Sequence, residues 1–210
     1  MLSINKTQYN SFCISADSNE ELARSFLRFQ EYYESPNDQF RGKIFTLGSY
    51  KHWYSEMYGA FTYESDWRGF NFPSIVLEPF KQGVFDPLID EEKALLSFFS
   101  YKNNSKPFYI IGANDDGVLN HELNHALYYY SEDYKKSINA LFDQNLEKIK
   151  HSLSTLLSKG YCRYMLYDEL QSYILDGDEE VTQTVPKKIL DKTFDYYNKY
   201  SEHHYETRFS

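Results

Sequence analysis

A turn, a strand and a capped helix follow one another between residues 103 and 130, and no other stretch constrains the fold as much. Phe108-Tyr109-Ile110-Ile111 is short, aromatic and β-branched, and Gly112 closes it. Those features favour a strand over a helix. Asn103-Asn104-Ser105-Lys106-Pro107 before it reads as a turn, and Asp115-Asp116-Gly117 after it can cap a helix over 118–130. Helical periodicity then dominates. Helices are expected over 134–144, over 146–159 with Gly160 as the stop, and over 163–175 closed by Asp176-Gly177-Asp178. A last helix is expected over 186–200, with Pro186 as its first residue.

The first hundred residues are more mixed. Residues 1–17 give no element. Ser18-Asn19-Glu20-Glu21 has capping-box spacing, and Leu22, Phe26, Phe29 and Tyr33 follow at helical intervals until Ser35-Pro36. A second helix is expected over 47–58, with Thr46 as N-cap and Gly59 as stop. Residues 60–89 read as short strands and loops, with Ser74-Ile75-Val76-Leu77 the best strand candidate, and Asp90 can cap a helix through Phe99. A mixed first half, one strong strand and then helices make the expected class α+β. A single domain over 1–210 is expected, comprising a mixed subregion over 1–104, a core over 105–180, and a last helix and tail over 181–210.

The charge narrows the function. Against 31 acidic side chains stand 22 basic ones, a formal net charge of -9. Phosphate binding needs a basic face, so a nucleic-acid partner is not expected, and an anionic membrane is a poor partner too. No apolar run approaches a membrane span, and MLSINKTQYN has no secretory apolar core. Cys13 and Cys162 are too far apart in sequence for a zinc knuckle and suit a reducing compartment. The expected location is the cytoplasm, or export without a classical signal peptide.

The chemistry is carried by His121-Glu122-Leu123-Asn124-His125, inside the helix expected over 118–130. At about 100° per residue, two histidines four apart lie roughly 40° from each other on one face, so both imidazoles can reach one ion. Glu122 lies on an adjacent part of that face, placed to take a proton from a water that a divalent metal has acidified. Val118-Leu119-Asn120 before the motif and Ala126-Leu127 after it carry no charge, the pattern of a sheltered helix.

These ten residues, 118–127, resemble the extended signature of the zincin metallopeptidases. The resemblance implies a zinc ion, Glu122 as catalytic base, hydrolysis of a peptide or protein substrate, and a sheet edge that pairs with extended substrate. By position that edge would be Phe108, Tyr109, Ile110, Ile111 and Gly112. A catalytic zinc takes three protein ligands. The Gly and third His of the metzincins do not follow His125. Tyr167-Asp168-Glu169-Leu170-Gln171-Ser172-Tyr173 is instead similar to the gluzincin pattern Asn-Glu-x-x-Ser-Asp, which makes Glu169 the third ligand beside His121 and His125. Its neighbours at helical spacing, Met165, Leu166, Ser172 and Tyr173, put Glu169 on the buried side and Asp168 on a more polar one. Tyr173 departs from the pattern, whose Asp orients a ligand histidine; Asp168 or a backbone carbonyl is then left for that role. The resemblance covers roughly residues 105–180.

Other residues carry less. His52 and His151 read as surface histidines, His203-His204 as a terminal pair, Lys187-Lys188 as a solvated face and Tyr128-Tyr129-Tyr130 as packing for the motif helix. Tyr161, Arg163 and Tyr164 are candidate oxyanion donors. The alternative to a peptidase is an interaction protein on a zincin scaffold that binds zinc without turnover; a plain domain without metal is the third reading.

Overall fold

The structure, a computed structural model, describes residues 1–100 and 106–206. The turn expected at 103–107 lies outside the described residues over 103–105. The class is α+β, and the chain divides into two compact units, Met1–Glu122 and Leu123–Ser210.

The first unit is built on a four-stranded sheet. Ser3–Lys6 (β1) and Ser11–Ser15 (β2) form an antiparallel hairpin. Its turn places Tyr9 at φ 51° and Asn10 at φ 49°, and the Ser11 N–H donates to the Gln8 carbonyl at 3.0 Å. Two left-handed central residues match the twist of the strands they join. Because Tyr-Asn rather than Asn-Gly makes this turn, the first 17 residues show no hairpin signal in the sequence.

Asn19–Glu34 (α1) starts on Ser18, whose hydroxyl accepts from the Glu21 N–H at 3.2 Å. Leu47–Tyr58 (α2) starts on Thr46 and stops at Gly59, as its caps suggest. Tyr63–Asp66 (α3), Phe70–Pro73 (β3), Leu77–Lys81 (α4), Asp90–Ser97 (α5), Tyr109–Gly112 (β4) and the first half of Asp116–Tyr130 (α6) complete the unit.

Two expectations need correction here. The strand between 60 and 89 is Phe70–Pro73, while Ser74–Val76 forms a 3-10 turn that runs into α4. A short apolar run reads alike in a strand and in a buried helical turn. The second correction concerns Phe108, Tyr109, Ile110, Ile111 and Gly112. The sheet order is β1-β2-β4-β3, so this segment is interior and not a sheet edge. β2 pairs with one side of β4, from Ser11↔Tyr109 to Ile14↔Gly112, and β3 with the other, from Phe70↔Gly112 to Pro73↔Tyr109. Continuous apolar runs belong to strands covered on both faces, and Tyr109, Ile110 and Ile111 have no exposed surface.

β3 is the edge on that side, yet it offers little to a further strand. The Asn71 N–H donates to Gln30 Oε1 at 2.9 Å, and Pro73 has no N–H. One face of β3 buries Phe70 and Phe72 against Phe26 and Phe29 of α1, with ring centroids 5.3–5.5 Å apart. Asn71 therefore points to the opposite face. A buried ion pair ties α1 to α5: Arg28 Nε donates to Glu92 Oε1 at 2.6 Å, and its Nη1 to the Phe85 carbonyl at 2.9 Å.

The second unit is helical. It comprises the rest of α6, Glu132–Asp143 (α7), Leu146–Ser158 (α8), Leu166–Asp176 (α9), Glu179–Thr182 (α10) and Lys187–Glu206 (α11). α9 packs against α7, α8, α10 and α11 and buries Leu170 and Ile174. Gly177, at φ 72°, closes it in the left-handed conformation that ends helices. The sequence did not signal α10, whose start is Asp178: its carboxylate accepts from the Val181 N–H at 3.0 Å. Among the described residues no helix is long and apolar enough to cross a membrane.

Candidate metal centre

α6 carries His121 and His125 one turn apart, as the spacing requires. α9 carries Asp168 and Glu169 in its first turn, where the helix dipole favours carboxylates. One donor atom from each of His121, His125 and Glu169 lies within 4.8 Å of the other two.

The second unit shows how His125 and Glu169 are set. His125 is 1% exposed and Glu169 2%. His125 Nδ1 lies 2.8 Å from Asp168 Oδ1, and its Nε2 lies 3.8 Å from Glu169 Oε2. With Nδ1–H donating to Asp168, the Nε2 lone pair faces the Glu169 side, the tautomer a ligand histidine needs. Asp168 also accepts from Gln171 Nε2 at 3.2 Å; that amide reaches Ser172 Oγ at 2.7 Å, and Gln171 Oε1 accepts from the Tyr134 hydroxyl at 2.7 Å. Burial pushes the Asp168 carboxyl above its ordinary range, while the charge and hydrogen bond of His125 pull it down. The expected contrast between a buried Glu169 and a more polar Asp168 does not hold, since Asp168 is only 6% exposed. Its polar neighbour Gln171 is itself fully buried and hydrogen-bonded within the network.

Two imidazoles and one carboxylate form a donor set suited to zinc, with one histidine already oriented by a carboxylate behind it. On that chemistry the residues present fit the metal.

Glu122, 5% exposed, belongs to the first unit and meets β3. Asn71 Nδ2 donates to Glu122 Oε2 at 2.7 Å, and the Tyr109 hydroxyl donates to Asn71 Oδ1 at 2.5 Å. A Cβ at Gly69 would lie 2.1 Å from Glu122 Oε1. The sequence carries no signal for Asn71 or Gly69, and Tyr109, expected to pair with substrate, bonds Asn71 instead. Nothing local in residues 69–71 marks them; only the pairing of β3 with β4 brings them here.

His52 is exposed and 3.3 Å from Glu56, and His151 is exposed. Tyr164 is 81% exposed, Arg163 is exposed, and the Tyr161 hydroxyl lies 2.8 Å from that of Tyr173. The side chains of His203 and His204 lie outside the described residues. Cys13 and Cys162 are buried thiols. Comparison with protein-family models, with curated proteins and with solved structures finds no match to this chain.

Proposed function

We propose that this protein is a zinc-dependent metallopeptidase of the zincin kind, gluzincin-like in its third ligand, acting on a peptide or protein substrate. The observation that carries the reading is the convergence of His121, His125 and Glu169 donor atoms within 4.8 Å, two of them on an HExxH helix. Asp168 behind His125 adds to it, because an oriented, electron-rich imidazole is a better ligand.

When bound, zinc supplies Lewis acidity, polarising a scissile carbonyl and lowering the pKa of water towards about 7. The chain's own residues do the rest. His121, His125 and Glu169 hold the ion, and Asp168 keeps the proton of His125 on Nδ1. Glu122 takes the proton of the attacking water on its carboxylate and delivers it to the leaving amine nitrogen. Substrate pairing along Phe108–Gly112 forms no part of this reading, because that strand is interior.

The test is digestion of a peptide library by untagged protein, wild type against Glu122→Gln, read by mass spectrometry of new termini. New termini with wild type alone, at equal zinc content, are expected. Zinc near one per chain with no difference between the two proteins would replace the peptidase with a silent zinc-binding scaffold.

A further inference from the structure

We propose that Asn71 is a positioning residue for Glu122, an inference that rests on the peptidase reading. Its amide holds the Glu122 carboxylate in the one orientation from which it takes and returns a proton, and Tyr109 holds the amide.

Every polar group of the Asn71 side chain has an assigned partner. Nδ2 donates to Glu122 Oε2 at 2.7 Å, and Oδ1 accepts from the Tyr109 hydroxyl at 2.5 Å. The Glu122 carboxylate, which only accepts, fixes which end of the amide is nitrogen, and the Tyr109 hydroxyl then donates to the oxygen; the flipped amide would set its oxygen against a carboxylate. The backbone is anchored as well, through the Asn71 N–H and Gln30 Oε1. Asn71 stands opposite Ile111 in the β3–β4 pair, and Tyr109 lies two residues along β4 on the same face. The polar pair thus occupies the sheet face opposite the Phe26–Phe70–Phe72 packing.

Gly69 is the independent second observation. A Cβ there would come within 2.1 Å of Glu122 Oε1 and 2.8 Å of Val118 Cγ1. The carboxylate is therefore held through one oxygen by an amide, with the other laid against the Gly69 backbone, where a Cβ would force the carboxylate or Val118 to shift. For a general base such a seat matters, because its reach and angle to the reacting proton set its efficiency.

The test uses Asn71→Ala and, should that variant fold poorly, Tyr109→Phe, which keeps the ring and removes only the hydroxyl. Zinc content and KM should stay within about twofold of wild type while kcat falls about 10- to 100-fold, the scale of a misplaced catalytic group. In a Glu122→Gln background the same substitutions should cost no further rate. A second readout needs neither zinc nor turnover: urea midpoints of metal-free Asn71→Ala, Glu122→Gln and the double variant should be non-additive. Unchanged kcat, a loss confined to KM or zinc content, a rate loss that persists without the Glu122 carboxylate, or additive midpoints would each overturn the proposal. A wild type that binds zinc and cleaves nothing would instead sink the peptidase reading, and the proposal with it.

Discussion

Removing the carboxylate of Asp168 perturbs the candidate centre without touching any of the three donors. Asp168 accepts from His125 Nδ1 at 2.8 Å and from Gln171 Nε2 at 3.2 Å. In Asp168→Ala the Gln171 amide keeps Ser172 Oγ at 2.7 Å, so the lasting loss falls on the imidazole N–H. Partners behind a metal ligand are worth about 10- to 100-fold in affinity, which is roughly 1.4–2.7 kcal/mol. In metal-free protein the stranded N–H costs about 1–3 kcal/mol, reduced by removal of a carboxylate that burial already disfavours. Asp168→Asn keeps the shape and an oxygen facing Nδ1, so it should lose zinc affinity with little loss of stability. The assay is zinc titration against a chromophoric chelator, paired with urea unfolding of the metal-free variants. Glu169→Ala, which deletes a donor, should lose more than either. Affinities for both Asp168 variants within twofold of wild type would refute the orienting role.

Gly69→Ala should destabilise the protein by about 1–3 kcal/mol through overpacking and slow turnover with zinc retained; an unchanged melting temperature and rate would mean that the Glu122 carboxylate does not lie against this backbone. Glu31, buried beside Ser35, Tyr50 and Tyr63, is pushed by burial from 4.5 up to about 7. Its unfolded form releases the proton first, so stability should fall as pH rises from about 4.5 to about 7, where the penalty of roughly 3 kcal/mol becomes complete. Glu31→Gln should accordingly stabilise at pH 8 and make little difference at pH 4; an equal gain at both, by urea unfolding, would rule out titration as the cause. Glu92→Ala should cost about 3–5 kcal/mol, since it strands the buried Arg28 guanidinium; a cost below about 1 kcal/mol would mean that Arg28 finds water.

The parts of the site that could be read in the sequence are the local ones. His121, Glu122 and His125 share a single helix, so a fixed period of residues fixes their geometry. Asp168 and Glu169 were legible as a pair, because adjacent helical residues diverge and only one was needed as donor. Their common burial was not legible, since it depends on Gln171 finding Tyr134 on another helix. Asn71 and Gly69 were invisible for a related reason. They reach Glu122 from about fifty residues away through a sheet register, and the continuous apolar run of β4 fits a central strand rather than the edge that its place before the motif helix suggests. The N-terminal hairpin escaped because Tyr9 and Asn10 adopt positive φ without a glycine to announce it.

Zinc stoichiometry tests the central claim most directly. Untagged protein is loaded with zinc, freed of excess ion and measured by inductively coupled plasma and native mass spectrometry, as wild type, His121→Ala, His125→Ala and Glu169→Ala. About one zinc per chain in the wild type and far less than one in each folded variant is the expected result. A wild type that retains no zinc, or a His125→Ala protein that retains it fully, would contradict a metal centre built on these three side chains.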